Sequence, residues 1–395
     1  MTWLKLVVRY LQYHKLKTSI LIASIFMTAF LPITILILLS EFNEKIVSRA
    51  QTTPLVVGAK GSGLDLTLNA LYFTTKRSET IPYATRNEIH KTGWARAIPL
   101  YAKFTARDFT IVGTTLDYFR YRNLKLASGT PLSRLGDCVV GSSVADKLNL
   151  QPGDQLLSDP DNVLDLGGQY PLKMLVRGIL EPTSTPDDGA VFVDLKTAWV
   201  IEGLGHGHQN LEEEKDELKV EVRSDGTLQA TAAVLPFMEI TDANIDSFHF
   251  HGETGKFPVT AVIAVPPDQK SETLLMGYFE VADDGTQMVS PLGVITELMS
   301  LVFQVKKFFD LNAILIAIST AFLLLLVLIL SQRLRQREMQ TMFKLGCSRG
   351  TLFLLQSSEI AILFLFSSLL VAMAAGIVWF MAGNLVQSLL IGSHV

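Results

Sequence analysis

Residues 311–330 read LNAILIAISTAFLLLLVLIL, twenty positions without a charge. A helix rises about 1.5 Å per residue, so about 20 apolar residues cross a hydrocarbon core about 30 Å thick. Two further stretches meet that length: ILIASIFMTAFLPITILILLS at 20–40, and the uncharged run 360–395, whose first two-thirds read IAILFLFSSLLVAMAAGIVWFMAG. Core helices of soluble proteins rarely run so far without a charge. Three transmembrane helices are therefore predicted, over 19–40, 311–331 and 355–383. Composition agrees, since 49% of the 395 residues are hydrophobic and only 18% charged, low beside the ~25% typical of soluble chains. The first span reads as an uncleaved anchor. A long basic segment, MTWLKLVVRYLQYHKLKTS, precedes it, and no small-x-small cleavage site follows. Pro32 inside it is a kink site of a kind that neighbouring helices tolerate.

Working outward from the spans, charge sets the orientation. Residues 1–18, read as an amphipathic cytoplasmic helix, hold Lys5, Arg9, Lys15 and Lys17 and no acid. The 332–354 segment holds Arg333, Arg335, Arg337, Lys344 and Arg349 against Glu338 alone. By the positive-inside rule both face the cytoplasm. The intervening segment, 41–310, carries 25 basic and 36 acidic residues, a net charge of −11, within a chain of net charge −4. It is assigned to the outside, as is the tail 384–395. Cys138 and Cys347 then lie on opposite sides of the bilayer, and no disulfide framework is implied.

The outer segment reads as a folded domain of mixed α and β structure. Runs such as PLVVGAK, RDFTIVGTT, GDCVVGS, KMLVRGILEP, GAVFVDL, ELKVEVRS and KFPVTAVIAVP recur between turn signals. SGLDLTLNALYF and SVADKLNL have apolar residues at helical spacing after Ser or Gly. QPGD at 151–154 and EPTSTPDDGA at 181–190 mark joints, and the 120–182 region reads as a β-rich sub-lobe. Val294, Leu298, Leu301, Val302 and Val305 repeat at helical spacing into the second span. Residues 41–49 likewise run on from the first. Both are read as stalk helices.

Catalytic signatures are absent from the sequence. There is no phosphate-binding loop ending in Gly-Lys-Ser/Thr, because GAKGSG at 58–63 lacks that ending. No H-E-x-x-H or CxxC occurs, and the one G-x-S-x-G, GCSRG at 346–350, falls in the basic segment after the second span. The spans are nearly free of ionisable residues, unlike those of ion-coupled transporters. The chain is therefore not expected to be an enzyme by itself or to bind a nucleotide, and nothing points to nucleic acid. A chemoreceptor-like sensor would need a longer cytoplasmic segment than the one between spans two and three.

The most informative stretch is SQRLRQREMQTMFKLGCSRGTLFLLQSSEIAILFLF at 331–366. Gly346 predicts a helix stop and Ser348 a new N-cap. A short helix lying flat on the cytoplasmic face is expected there, suited to docking in a groove on a soluble partner. Arg335, Arg337, Glu338, Met339, Leu345, Gly346, Cys347, Ser348, Arg349 and Glu359 resemble the signature of the MacB/FtsX/LolC-type ABC permeases. The amino-terminal LKLVVRYLQYHKLKTSILIASI and the outer stretches VGSSVADKLNLQPGDQLLS (140–158) and VRGILEPTSTPDDGAVFVDL (176–195) are also similar to this family. The resemblance implies a mechanotransmission (type VII) permease of the bacterial inner membrane with a periplasmic domain. It implies a dimer, made with a second copy or a paralogue, on two cytoplasmic ABC ATPases that hold ATP and Mg²⁺. A periplasmic substrate-binding or adaptor protein is a further partner on this reading, and the lipid bilayer is the solvent. It also assigns ATPase coupling to Arg335, Arg337, Glu338, Gly346, Ser348 and Arg349. One departure is visible: the family's fourth span is absent or degenerate here.

Four of the seven histidines form two pairs, His206/His208 and His249/His251. In a strand, residues i and i+2 share a face, so each pair offers two Zn²⁺ ligands. Three readings stay open: a permease driving export or release of an envelope substrate, an FtsX-like non-transporting regulator of a periplasmic partner, and a zinc-linked ABC system.

Overall fold

The computed structural model describes residues 2–74, 79–159, 171–207, 220–222, 228–230, 239–282 and 285–391. The helices are α1 (Thr2–Tyr13), α2 (Lys15–Gln51), α3 (Gly63–Tyr72), α4 (Ala84–Thr92), α5 (Leu116–Tyr121), α6 (Ser142–Leu148), α7 (Leu195–Ile201), α8 (Gln269–Val281), α9 (Pro291–Lys344) and α10 (Arg349–Ile391). The first eight strands are β1 (Leu55–Ala59), β2 (Ile81–Pro82), β3 (Arg96–Ala106), β4 (Phe109–Thr114), β5 (Leu126–Gly129), β6 (Asp137–Val140), β7 (Gln155–Leu157) and β8 (Lys173–Leu180). They are followed by β9 (Ala190–Asp194), β10 (Gly205–Gly207), β11 (Val220–Val222), β12 (Leu228–Ala230), β13 (Phe248–Phe250), β14 (Pro258–Val259), β15 (Ala261–Val265) and β16 (Thr286–Val289).

The chain divides into two compact units. One comprises Met1–Glu44 with Leu298–Val386, and the other Lys45–Glu297 with Gln387–Val395. The first is helical. Three helices are long and apolar enough to cross a membrane, within Lys15–Gln51, Pro291–Val327 and Arg349–Gly383. The most apolar window of α9 is 0% buried. Such a surface is unstable in water and stable in hydrocarbon. At 54 residues, α9 is about 80 Å long, so it must leave a ~30 Å hydrocarbon core at its ends. Polar side chains also join helices of this unit. Thr28 Oγ1 on α2 donates to Thr320 Oγ1 on α9 at 3.3 Å, and Lys17 pairs with the buried Glu359 of α10 at 3.5 Å. Helix α2 runs through Pro32 without a break.

One expectation for this unit needs correction. No separate short helix follows Ser348: α10 is a single helix of 43 residues, Arg349–Ile391. Once Ser348 has capped its first turn, no proline interrupts the run to residue 391, and helix propagation is cooperative. The tail from residue 384 is helical as far as Ile391.

The second unit is built on a ten-stranded sheet in the order β16-β1-β15-β3-β4-β9-β6-β8-β5, with β7 also paired to β8. Most neighbours are antiparallel, as in Val56↔Ile263 and Ile263↔Ile98. β4/β9 and β6/β8 are parallel. The central β3 is buried along most of its length, the mark of a strand covered on both faces. β8 alternates between buried and half-buried positions, as one covered face requires. The strands of the 120–182 region share this sheet and form one end of it. Helices close on local signals. Ser62 Oγ accepts the Asp65 N–H to cap α3, and Asp268 accepts the Ser271 N–H to cap α8. The core is apolar and aromatic: Tyr118, Phe192 and Phe73 pack mutually, and Trp199 meets Phe257 edge to face.

Candidate functional site

The segment Thr183-Ser-Thr-Pro-Asp-Asp-Gly189 makes a tight buried turn before β9. Thr185 Oγ1 caps a single 3₁₀ turn with Pro186 in its first position. The Asp188 carboxylate accepts the Thr183 N–H at 2.9 Å, the Thr183 hydroxyl at 2.8 Å and the Ser184 N–H at 2.8 Å. With its backbone groups tied down in this way, the turn presents Asp187 toward the last turns of α2.

There Asp187 meets Arg49 in a bidentate pair. Arg49 Nη1 donates to Oδ2 at 2.6 Å and Nη2 to Oδ1 at 2.9 Å. The Tyr118 hydroxyl donates to Oδ1 at 2.7 Å and the Thr185 hydroxyl to Oδ2 at 2.9 Å. Arg49 Nη2 also reaches the Tyr118 hydroxyl at 2.9 Å, and Nε reaches the Leu71 carbonyl at 3.4 Å. Asp187 is 1% exposed and Arg49 7%. Burial alone would push the Asp187 carboxyl up. The Arg49 charge and the hydrogen bonds from Arg49 and Tyr118 outweigh it and hold the group below the usual carboxylate range. Burial pushes the Tyr118 hydroxyl up, which keeps it a donor. Both oxygens of Asp187 are saturated, so the cluster is built to hold rather than to exchange protons.

The surrounding contacts repeat the theme. Tyr72 donates to the Ile46 carbonyl at 2.8 Å. Arg122 donates to the Thr52 and Thr53 hydroxyls at 3.1 and 2.7 Å, and the Tyr121 hydroxyl donates to the Thr52 carbonyl. A cavity of about 310 Å³ opens beside the cluster, lined in part by Lys45, Arg49, Tyr72, Arg122 and Ser184. The sequence marks 181–190 as a joint within the family-like stretch 176–195, and Arg49 as no more than the end of a predicted stalk. A cation at the end of a predicted stalk and an Asp-Asp pair after Pro were the available signals.

The sequence-predicted coupling residues fall around the α9–α10 turn. Gly346 has φ 100°, a left-handed conformation that glycine adopts without steric cost. Ser348 Oγ accepts the Thr351 N–H at 3.2 Å and so caps α10. The Arg349 guanidinium lies 5.8 Å from the Phe343 ring centroid, closing the turn with a cation–π contact. Arg337 is exposed on α9; the side chains of Arg335 and Glu338 lie outside the described residues. Leu345 is 80% exposed at the turn. A groove of about 660 Å³ between the end of α9 and the start of α10 is lined by Arg333, Lys344, Arg349 and neighbouring residues. Cys138 is buried and Cys347 half-buried, and both are free thiols.

Of the four histidines singled out, His206, His249 and His251 come together. Their ligand nitrogens all lie within 4.8 Å of one another. His208 lies outside the described residues.

The sequence profile of the MacB-like periplasmic core domain matches residues 25–236, 212 positions and just over half of the 395. Among solved structures, the periplasmic region of MacB from Actinobacillus actinomycetemcomitans is similar at 11% identity, covering 64% of this chain and 97% of that one with a TM-score of 0.36. The extracellular domain of the noncanonic ABC-type transporter YknZ from Gram-positive bacteria is similar at 11% identity, covering 60% and 98% with a TM-score of 0.32. No curated protein sequence matches. With three apolar helices and a mixed α/β extracytoplasmic domain that fits this profile, the chain belongs to the MacB-like family of ABC transporter permeases, the membrane components of ATP-driven transporters.

Proposed function

We propose that this chain is the inner-membrane permease subunit of an ABC system in which a cytoplasmic ATPase dimer drives movement of the periplasmic domain, and that this movement exports or releases an envelope substrate. The observation that carries the reading is continuity. The first apolar span and the buried Arg49 belong to one unbroken helix, α2, and Arg49 is fastened by a saturated bidentate pair to the domain's core turn. A continuous helix resists bending because each backbone hydrogen bond opposes it, so displacement at one end is delivered to the other. The second span likewise belongs to one helix, α9, that starts immediately after β16. Arg337, Gly346, Ser348 and Arg349, with Arg335 and Glu338 of the same segment, form the ATPase-facing element on this reading. The exposed Leu345 at a glycine turn, in a basic surround, supports a protein partner there. The permease acts as a pair, with a second copy or a paralogue.

Copurification with the partner ATPase, followed by ATPase assays in lipid nanodiscs, tests the reading. The double variant Arg337→Ala, Glu338→Ala is expected to lose stimulation of the ATPase while the chain remains folded. Normal assembly and normal stimulation in that variant would rule out the coupling assignment. Stimulation by a periplasmic protein rather than by any exported compound would identify the regulator form of the same machine.

A further inference from the structure

The ribbon formed by β10 and β13 has two chemically distinct faces. Its antiparallel register sets Gly205 opposite Phe250, His206 opposite His249 and Gly207 opposite Phe248. Side chains alternate across a strand, so the two phenylalanines share one face and the two histidines the other. Phe248 and Phe250 pack against the apolar core. Glycine on the facing strand permits this close approach: a Cβ at Gly205 would lie 2.6 Å from the Phe250 ring, and one at Gly207 would lie 2.7 Å from that of Phe248. The inner face therefore seats the ribbon firmly. The outer face presents imidazoles. His251 follows His249 by two positions and joins the same face, and its N–H donates to the Leu204 carbonyl at 3.2 Å.

We infer that His206, His249 and His251 form a Zn²⁺-binding site on the extracytoplasmic domain. The ring centroids are 5.2 Å apart for His206–His249, 4.9 Å for His206–His251 and 4.7 Å for His249–His251. Zn–N bonds of about 2.0–2.1 Å in a tetrahedral site place ligand nitrogens about 3.3–3.4 Å apart. The present separations, within 4.8 Å, close to that value by side-chain rotation, and His249 and His251 are exposed. The tautomer of one ring is already set. His249 Nδ1 lies 3.0 Å from the Ser247 carbonyl, which can only accept, so Nδ1 carries the hydrogen and the neutral ring has its lone pair on Nε2. A carbonyl behind a ligating imidazole is the usual outer-shell arrangement of a zinc histidine. An all-imidazole set suits Zn²⁺. Three protein ligands leave the fourth tetrahedral position open, as in zinc sites that take an incoming ligand rather than those that staple a fold. The site is thus suited to accept and hand on zinc at the domain surface. It stands independently of the ATPase-coupling reading.

The test uses the full chain in detergent, stripped with a chelator and titrated with Zn²⁺ against a competing chromophoric chelator. One equivalent is expected to bind at micromolar or tighter affinity. The variant His249→Gln, at an exposed position that does not carry the fold, should weaken binding at least about tenfold. His206→Ala with His249→Ala should weaken it more than about a hundredfold, on the order of what losing metal-shell partners costs. His90→Ala, in the same domain, should leave it unchanged. Zinc-edge X-ray absorption of the loaded chain should show three imidazole ligands. Failure of the wild type to bind Zn²⁺, equal affinity in the double variant, or a metal shell without imidazole scattering would each overturn the inference.

Discussion

Replacing Asp187 by alanine tests whether the end of α2 is fastened to the domain as described. The substitution removes the acceptors of four hydrogen bonds, two from Arg49 and one each from Tyr118 and Thr185. The Arg49 guanidinium is left buried with the Leu71 carbonyl and the Tyr118 hydroxyl as its remaining neutral partners. Removing one partner of a buried ion pair costs about 3–5 kcal/mol, chiefly because the other charge stays desolvated and uncompensated. In a domain of this size each kcal/mol lowers the melting temperature by about 2–4 °C, so a fall of about 6–20 °C is expected. Trp199 is a convenient reporter, because it is buried in the same domain and its Nε1 donates to the Pro258 carbonyl at 2.8 Å. Thermal unfolding of the purified chain followed by tryptophan fluorescence reads the effect. The double change Arg49→Met, Asp187→Leu leaves no orphaned charge and should recover most of the loss. If Asp187→Ala melted within about 2 °C of the wild type, less than the cost of one kcal/mol, the pair would not be holding the helix and the reasoning would fail.

The same pair predicts an acid limit. The Asp187 carboxyl is held below its ordinary value, so its contribution is complete above about pH 4 and is lost as pH falls through the lowered folded-state value. A melting series should show this loss in the wild type and not in Asp187→Asn. Gly346→Ala places a Cβ at φ 100° and should cost about 1–2 kcal/mol locally. It is expected to reduce ATPase stimulation several-fold without lowering the melting temperature of the extracytoplasmic domain. Cys138 is fully buried, with burial pushing its thiol up, so it should resist thiol reagents in the folded chain. Cys347 should react with a membrane-impermeant maleimide in inside-out vesicles and not in spheroplasts, and the reverse pattern would invert the proposed topology.

Much of this molecule is legible in its sequence for one reason. Membrane insertion depends on apolar content summed over about 20 contiguous residues in a uniform solvent, so 311–330 can be read without knowing what it touches. The stop at Gly346 and the cap at Ser348 are equally local, since a residue's own φ and its neighbour's N–H decide them. What followed the cap was misread because the short helix depended on a break that the chain after Ser348 does not contain. The sheet was legible as strands but not as an order: β4 beside β9 and β6 beside β8 follow from long-range closure. The two sites were the least readable. Arg49 and Asp187 stand 138 positions apart, and only the packing of α2 against the turn before β9 makes them a buried pair. The histidines could be paired from the period of a strand, but their meeting across β10 and β13 depends on a register that two glycines and two phenylalanines fix. Sequence alone determined where this chain meets lipid, because that depends on neighbours along the chain. The tertiary structure decided which side chains meet one another, because that depends on neighbours in space.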